Sequence, residues 1–487
     1  MEALCPWLVL LMVCLPIVEV LCALTLMTRC EDCGAVATAC VRFGMLGSFV
    51  LAMLLLITLV GELGSQHDSA VWRMGASLEL SGPRPLRVEW AWHANVLAAG
   101  WAAALSGLAW LTLSAARHDE RAEPRVALAV TAGMLHAAVV ALMLSTSFVQ
   151  MLFCWGAISL ATWLMVGWVS KTDAASLAIR KTVVTGLATD GFLVLAVLLM
   201  VATCGTFAID EVLSVEGLEK LGYRSPALPG FIGCLLVLGV LGRSGLFPCF
   251  GWHHGAAKWD RPVWRMIYLV GYVPSAVWLL FRFQPLLAAS DVSLSMLGGL
   301  STLAAVLSAF VACGQVELRS ANAFLVTAQI GVAFTALSAG LFDVEVLRAW
   351  WIGSKESAPR AADVGRVLLA QISVIAGAFV VRRMSPATSP SPGGESRSLP
   401  LAQLSRQRLY IDDITQIVIE GPLRIWIQLA QFVDRLLTEG LFPFLCVHLP
   451  GWFGRQLESL HISRVEFDLA ATLLCVATVL LTLVLVT

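Results

Sequence analysis

Charge is what this sequence has least of. Only 13% of its 487 residues are Asp, Glu, Lys or Arg, against 58% hydrophobic residues, where soluble domains carry roughly 25% charged residues. A water-soluble globule of this composition lacks the polar surface to stay dispersed, which excludes a soluble multi-domain enzyme. The high apolar content excludes a disordered chain as well. An excess of one sign is also missing: 32 Lys and Arg against 33 Asp and Glu leave a net charge of -1, so nothing points to a nucleic-acid partner. Tyrosine is scarce, with 4 residues against 17 Trp. Several Trp (Trp90, Trp92, Trp155, Trp168, Trp252, Trp259) flank apolar runs, as interface-seeking indoles do. No Walker loop, nucleotide fingerprint, haem motif or HExxH zinc motif occurs, and no soluble stretch is long enough to house a redox centre. No catalytic residue, metal or cofactor is expected in this chain.

The 13 Cys are an odd number. Cys14, Cys154, Cys234, Cys313 and Cys475 lie inside apolar runs, where they read as small core residues, not a disulfide framework. Cys30, Cys33 and Cys40 form a cluster just beyond the first run, without the nearby His or fourth thiol that a zinc site needs.

What is abundant is apolar sequence in lengths that match a bilayer. Stretches of about 20 residues run near 5–27, 43–64, 92–115, 126–145, 147–170, 182–207, 228–250, 264–287, 292–313, 321–343, 363–381 and 468–486. The first is not expected to be a cleaved signal, because no basic residue precedes it and another span follows soon after. β-Barrel alternation is absent. The expected fold is therefore an all-α, polytopic transmembrane bundle of about 12 spans. Its lipid partner is the bilayer of a bacterial inner membrane or an equivalent energy-coupling membrane.

Basic residues mark alternate loops: Arg29 and Arg42; Arg117, Arg121 and Arg125; Lys171, Arg180 and Lys181; Lys258, Arg261 and Arg265; Arg319; Arg382 and Arg383. The opposite set includes the acidic 208–221 loop with Asp210, Glu211, Glu216 and Glu219. The positive-inside rule then places both termini outside and the Arg382 side in the cytoplasm. Residues 76–90 alternate weakly around Gly82-Pro83 and predict a short external hairpin.

After the last of these loops the pattern changes. Residues 385–407 are rich in Ser, Pro and Gly and read as a linker. Residues 408–465 mix Ile and Leu at helical spacing with Asp412, Asp413, Glu420, Arg424, Asp434 and Arg435. That is too polar to span a bilayer but strongly amphipathic, so a lateral helix on the cytoplasmic surface is expected, broken or kinked at Pro422, Pro443 and Pro450. Residues 466–487 would anchor its end. The remaining organisation is N-terminal spans over 1–75 and a transmembrane core over 76–384.

Ionisable groups inside spanning helices cost several kcal/mol and are functional candidates by default. Arg243 lies well inside the seventh run, near Gly242, Gly245 and Pro248. Asp190, about two turns into the sixth, is its expected partner, and the pair is either functional or structural. Lys181 starts the sixth run, where it can snorkel to the interface. Arg319 either lines a polar path or anchors the tenth span. Glu19 and His136 are mid-span, where a titratable group can relay protons or simply be hydrogen-bonded packing. His253-His254 beside Lys258 is adjacent in sequence, which puts the two rings on different faces.

These residues carry a resemblance. The segment GRSGLFPCFGWHHGAAKWDRPVWRMIYLVGYVPSAVWLLFR, 242–282, is similar without gaps to the core motif of the proton-translocating antiporter-like subunits. Gly242, Ser244, Pro248, Trp252, Ala256, Pro262, Val263, Ile267, Val277, Leu279 and Arg282 match. GQVELRSANAFLVTAQIG, 314–331, resembles a second motif of the family. Residues 147–192 resemble a third, with Lys181 and Asp190 on its Lys and Asp. The segment 408–441 is similar to the opening of the lateral helix of subunit L of NADH:quinone oxidoreductase (subunit 5 in mitochondria).

The resemblance covers most of 75–343 and 408–487. It implies a membrane-arm subunit that couples quinone reduction to proton transport, with NADH, flavin, iron–sulfur and quinone held by partner subunits. It also exposes departures. The family's gating Glu falls on Gly156, its partner Lys on Arg243 and a central Lys on Arg319. Its channel His positions are Phe250 and Tyr268, and its later Lys helix has no counterpart between Asp343 and Asp363. A guanidinium practically never releases its proton, so Arg243 cannot cycle as a Lys does. Three readings follow: a divergent subunit L whose protons use Asp190, His136 or Glu19; a subunit of a cation/proton antiporter, membrane-bound hydrogenase or inorganic-carbon uptake complex; or a non-pumping structural subunit.

Overall fold

In lipid, a helix satisfies every backbone group within its own segment, which is why long apolar runs fold this way there. The computed structural model describes residues 5–29, 34–63, 72–80, 86–116, 125–169, 173–246, 261–315, 318–340 and 361–384, together with Gln428. The chain divides into two units, Met1–Ile419 and Glu420–Thr487, and all described residues except Gln428 belong to the first. The linker at 385–407, the lateral-helix residues Asp412, Asp413 and Asp434, the final span, Cys30, Cys33 and His253-His254 lie outside the described residues.

Two helices open the fold, α1 (Cys5–Arg29) and α2 (Gly34–Leu63), and a hairpin follows, β1 (Trp72–Leu80) and β2 (Leu86–Ala94). Next come α3 (Val96–Ala115), α4 (Arg125–Leu144), α5 (Phe148–Val169) and α6 (Asp173–Cys204). Two short helices, α7 (Ile209–Val212) and α8 (Val215–Arg224), lead to α9 (Leu228–Arg243). One long span is composite: α10 (Arg261–Met266), a π-helical stretch (Ile267–Tyr272) and α11 (Val273–Arg282). The described part closes with α12 (Gln284–Ala288), α13 (Asp291–Gly314), α14 (Leu318–Ser338) and α15 (Ala361–Met384).

Among the described residues nine helical stretches are long and apolar enough to cross a membrane. The pair α8 and α9, which meet at 108°, would make a tenth as one broken span, and α15 carries a shorter apolar stretch, Arg366–Gly377. Large apolar side chains such as Leu11, Ile57, Phe153, Leu198 and Ile372 point outward. In water this would be a liability, but against lipid it is the expected surface.

The helices gather in three neighbourhoods. α1, α2, α3 and α4 pack on one another; α5, α6, α9 and the composite span form the middle; α13, α14 and α15 pack together and reach the middle through α9. The predicted hairpin forms and is longer than expected, with Leu78 opposite Val88 and Ala76 opposite Trp90. It takes residues 92–94 out of the expected third span, which starts at Val96 instead. Here Asn95 caps the helix by accepting from the Ala98 amide at 2.7 Å.

The hairpin's end is tied to two loops. Thr146 Oγ1 donates to the Ala91 carbonyl at 3.0 Å. The Ile209 amide donates to the Thr146 carbonyl at 3.0 Å. These bonds place the hairpin, the 145–147 turn and the 205–210 loop at one end of the bundle.

Two helix irregularities bear on function. α9 stops at Arg243 because Gly245 takes φ 65°, a left-handed conformation that glycine adopts without strain. The Leu246 amide then reaches back to the Leu241 carbonyl at 3.0 Å, a C-terminal cap. Within the expected seventh span, 228–250, α9 therefore ends at Arg243. In the composite span Pro274 has no N–H and crowds the carbonyl four residues earlier, and the ladder just before it widens into the π-helical stretch. Such π turns concentrate at functional sites.

Candidate functional site

The short sequence Gly239–Val240–Leu241–Gly242–Arg243 builds the first site. Two glycines three residues apart share one helix face, and here that face meets α6. A Cβ on Gly239 would come within 3.2 Å of Leu193 Cβ, and one on Gly242 would overlap the Thr189 side chain. Without those side chains the two backbones approach closely. The residues next to the contact, Arg243 on α9 and Asp190 on α6, are thereby brought together.

Arg243 is only 2% exposed, and its guanidinium is held on several sides. Nη1 and Nη2 donate to Ser159 Oγ at 2.7 and 2.6 Å, and Nη2 also donates to the Trp155 carbonyl at 2.9 Å. The guanidinium carbon sits 4.1 Å from the Trp155 ring centroid and 4.8 Å from that of Tyr272, within cation–π range. Asp190 Oδ2 stands 3.8 Å from Nη2 as the counter-ion. Asp190 Oδ1 accepts from Trp155 Nε1 at 2.7 Å. Arg243 Nε has no partner among the described residues.

Trp155 was expected among the interface indoles. It is instead buried and does three things: its ring faces the cation, its carbonyl accepts from it and its indole N–H fixes the carboxylate. Gly156, on the family's Glu position, points to an exposed face where an added Cβ would meet nothing within 4 Å. The electrostatics are those of a fixed cation. The charge sits at a helix C-terminus, where the backbone dipole favours it, and removing its carboxylate would leave a buried charge without its counter-ion. The more accessible member of this site is Asp190, whose side chain keeps 19% exposure.

A second buried site lies among the first four helices. His136 Nδ1 is 3.2 Å from Glu19 Oε1, and His136 Nε2 is 2.9 Å from Ser106 Oγ. Glu19, Ser106 and His136 are all buried. Glu19 and His136 each stood out in the sequence, but nothing there announced that they meet, nor that Ser106 completes the row. The π-helical stretch stands between the two sites. An added Cβ on Gly271 would come within 3.1 Å of Leu135, the neighbour of His136, while the next residue, Tyr272, packs on Arg243.

A third polar group was not foreseen. At the hairpin end, Asp210 lies 3.5 Å from His93 Nδ1 and 3.8 Å from Arg282 Nη2, beside a cavity of about 580 Å³. Arg282 Nη1 also donates to Ser145 Oγ at 3.1 Å. Its only sequence signal was Arg282 in the resemblance and Asp210 in an acidic loop.

Other candidates are placed less fully. Lys181 lies in the first third of α6 and Arg319 at the start of α14, and their side chains are outside the described residues. Cys154 is buried as expected, but Cys14 is exposed on the outer face of α1.

With this geometry in hand, the comparisons with known proteins fall into place. Residues 145–349 match the family described as NADH:quinone oxidoreductase/Mrp antiporter, TM. The matched segment contains Trp155, Ser159, Asp190, Arg243 and Tyr272, but not Glu19, Ser106 or His136. A chloroplastic NAD(P)H-quinone oxidoreductase subunit 5 from Adiantum capillus-veneris is 27% identical over 208 residues, 42% of this chain and 28% of that protein. NADH-quinone oxidoreductase subunit L of Campylobacter jejuni is 25% identical over 203 residues, 42% of this chain and 33% of that protein. The alignments thus span a third or less of these relatives.

Among solved structures, a Mrp complex from a Dietzia species superposes with TM-score 0.59 at 15% identity, covering 99% of this chain and 63% of that one. An archaeal membrane-bound sulfane sulfur reductase gives TM-score 0.58 at 13% identity, covering 84% of this chain and 87% of that one. At these identities the likeness is one of fold. The chain is an integral, multi-pass membrane protein, and its residues 145–349 carry the match to that family.

Proposed function

We propose that this chain, whose residues 145–349 belong with the NADH:quinone oxidoreductase and Mrp antiporter-like subunits, is a subunit L-like membrane component of a proton-translocating complex. Partner membrane subunits complete the proton path. Partner peripheral subunits hold NADH, flavin, iron–sulfur and quinone, and this chain responds to quinone reduction by moving protons. The observation that carries the reading is that the matched segment contains an intramembrane Asp190–Arg243 pair whose cation is buried, since intramembrane charge is retained mainly where ions move.

In this reading Arg243 stays charged and sets the local field. Asp190, hydrogen-bonded to Trp155 and close to the cation, is the carboxylate whose protonation or displacement responds to it. The loop charges support a topology with both termini outside and the lateral helix, with Asp412, Asp413 and Asp434, on the cytoplasmic side.

A non-pumping, structural role is the second reading. The engagement of Arg243 by Ser159, Trp155, Tyr272 and Asp190 favours it, because a cation so fully held also serves as a clamp between α5, α6 and α9. Purification of the native complex through a tag on this chain, followed by identification of its companions, tests membership. Other antiporter-like membrane subunits together with NADH-oxidising subunits are expected. Recovery with a single large zinc-bearing protein would instead assign the chain to inorganic-carbon uptake.

A further inference from the structure

Arg243 cannot release its proton, so any proton that crosses this subunit needs other groups. The first four helices contain such groups outside the segment that matches the family. Glu19 on α1, His136 on α4 and Ser106 on α3 come from helices far apart in sequence and form one continuous row: Glu19 Oε1 to His136 Nδ1 at 3.2 Å, His136 Nε2 to Ser106 Oγ at 2.9 Å. His136 is fully buried, Ser106 is 1% exposed and Glu19 4%. Each stands near the middle of its span.

The packing reserves room for the carboxyl. A Cβ on Gly44 of α2 would overlap the Glu19 carboxyl group, and one on Gly133 of α4 would come within 3.7 Å of Glu19 Oε1. Glu19 Oε2 is buried and has no hydrogen-bond partner among the described residues. A buried carboxyl oxygen left this way is costly unless a proton or a water satisfies it. Among the described residues no three His, Cys, Asp or Glu side chains gather to hold a metal ion, so the ligand that fits is a proton.

α3 carries no ionisable side chain. The others on the helices packed with the row are Cys5, Cys14 and Cys22 on α1, Cys40 and Arg42 on α2, Cys154 on α5, and Arg261, Arg265, Tyr268, Tyr272 and Arg282 on the composite span. Arg29, Glu62 and Arg125 stand at or next to helix ends.

We propose that Glu19, His136 and Ser106 form a proton relay through the N-terminal helices, beside the antiporter-like module. The inference rests on the proton-translocating reading above. The steps conserve charge and protons. Neutral His136, with its proton on Nδ1 toward the Glu19 carboxylate, receives a second proton at Nε2 from the Ser106 hydroxyl, which takes a replacement from its far side. The imidazolium passes its Nδ1 proton to Glu19 Oε1. The carboxyl group turns and releases that proton at its Oε2 side, and reorientation of the imidazole brings its remaining N–H to face Glu19 and its bare nitrogen to face Ser106, which resets the row. The net change is one proton moved from the Ser106 side to the Oε2 side.

The test uses the native complex in sealed vesicles and in membranes. Glu19→Gln keeps the shape and a hydrogen bond but cannot take up a proton, and it is expected to slow proton transport by at least about tenfold in an assembled complex. Ser106→Ala, which removes only a hydroxyl, is expected to slow transport as well, and it serves where Glu19→Gln fails to assemble. Unchanged transport in an assembled variant of either kind overturns the relay.

A second readout does not depend on pumping. A hydrophobic carbodiimide reacts with protonated carboxyl groups in apolar surroundings, so Glu19 in native membranes should be labelled at low pH and progressively less as pH rises. Labelling that ignores pH, or no labelling of Glu19 at any pH, contradicts a proton-exchanging carboxyl. A wild-type complex that does not transport protons but shows pH-dependent labelling of Glu19 would retire the proton-translocating reading while leaving the site's proton exchange standing.

Discussion

Arg243 holds its charge in apolar surroundings with a hydroxyl, a carbonyl, two aromatic faces and a carboxylate around one guanidinium. Lysine could supply the charge but not the flat, forked donor set that meets Ser159 and Trp155 together. Arg243→Ala would leave the half-buried Asp190 beside a void. It is expected to weaken the subunit by about 3–5 kcal/mol, read as a lowered thermal midpoint of the solubilised complex, with Arg243→Lys in between. A normal midpoint for the alanine variant would show that the pair does not hold the fold. At this scale the sequence was legible where chemistry is unusual in lipid: Asp190, Arg243, Glu19 and His136 all stand out as ionisable groups in apolar runs. Their partners did not stand out. Ser159, Ser106 and Trp155 are ordinary residues of membrane helices, and their roles come from which helices touch.

The glycine face of α9 decides how those groups meet. Gly239 and Gly242 let α9 settle on Thr189 and Leu193, and the Gly242 position has no room for a methyl group. Gly242→Ala is expected to cost about 1–3 kcal/mol by overpacking. Combining it with Thr189→Ala should recover part of that loss, because the second change removes Cγ2 and Oγ1, two of the three Thr189 atoms in conflict, and leaves only Cβ. Stabilities that simply add would show that the two positions do not touch. Elements longer than twenty apolar residues were readable from length and composition, and so was the hairpin, from its alternation. The break at Gly245 and the π turn before Pro274 left only weak signals, since Gly and Pro are common in membrane helices and do not reveal how the backbone will respond. These two irregularities set where Arg243 and Tyr272 stand.

Across the whole molecule, the scarcity of charge has two origins. Most of it is the requirement of the bilayer. Part of it is local to the matched segment, where Gly156 and Arg243 stand at positions for which the resemblance implies Glu and Lys. Among the described residues, charged groups meet in the Asp190–Arg243 pair, in the Glu19–His136 couple, at the hairpin end and in the exposed Glu216–Lys220 pair. In the proposed topology, read from the loop charges, the hairpin end lies outside. Tyr223, which is 96% exposed on α8, should therefore, as Tyr223→Cys, react with a membrane-impermeant maleimide added to intact cells. Reaction only after the cells are opened would invert the topology. The likeness to a Mrp complex over 99% of the chain is one of fold; under the proposed function, the chain should lose proton transport without losing its companions when the Asp190 carboxylate is neutralised.

The most direct measurement is proton transport by the native complex, reconstituted in vesicles, with Asp190→Asn in this chain and assembly verified in the same preparation. The account predicts a complex with all its subunits and a reduced proton flux for each turnover. Undiminished flux in the assembled variant would contradict it and leave Asp190 and Arg243 as a structural clamp.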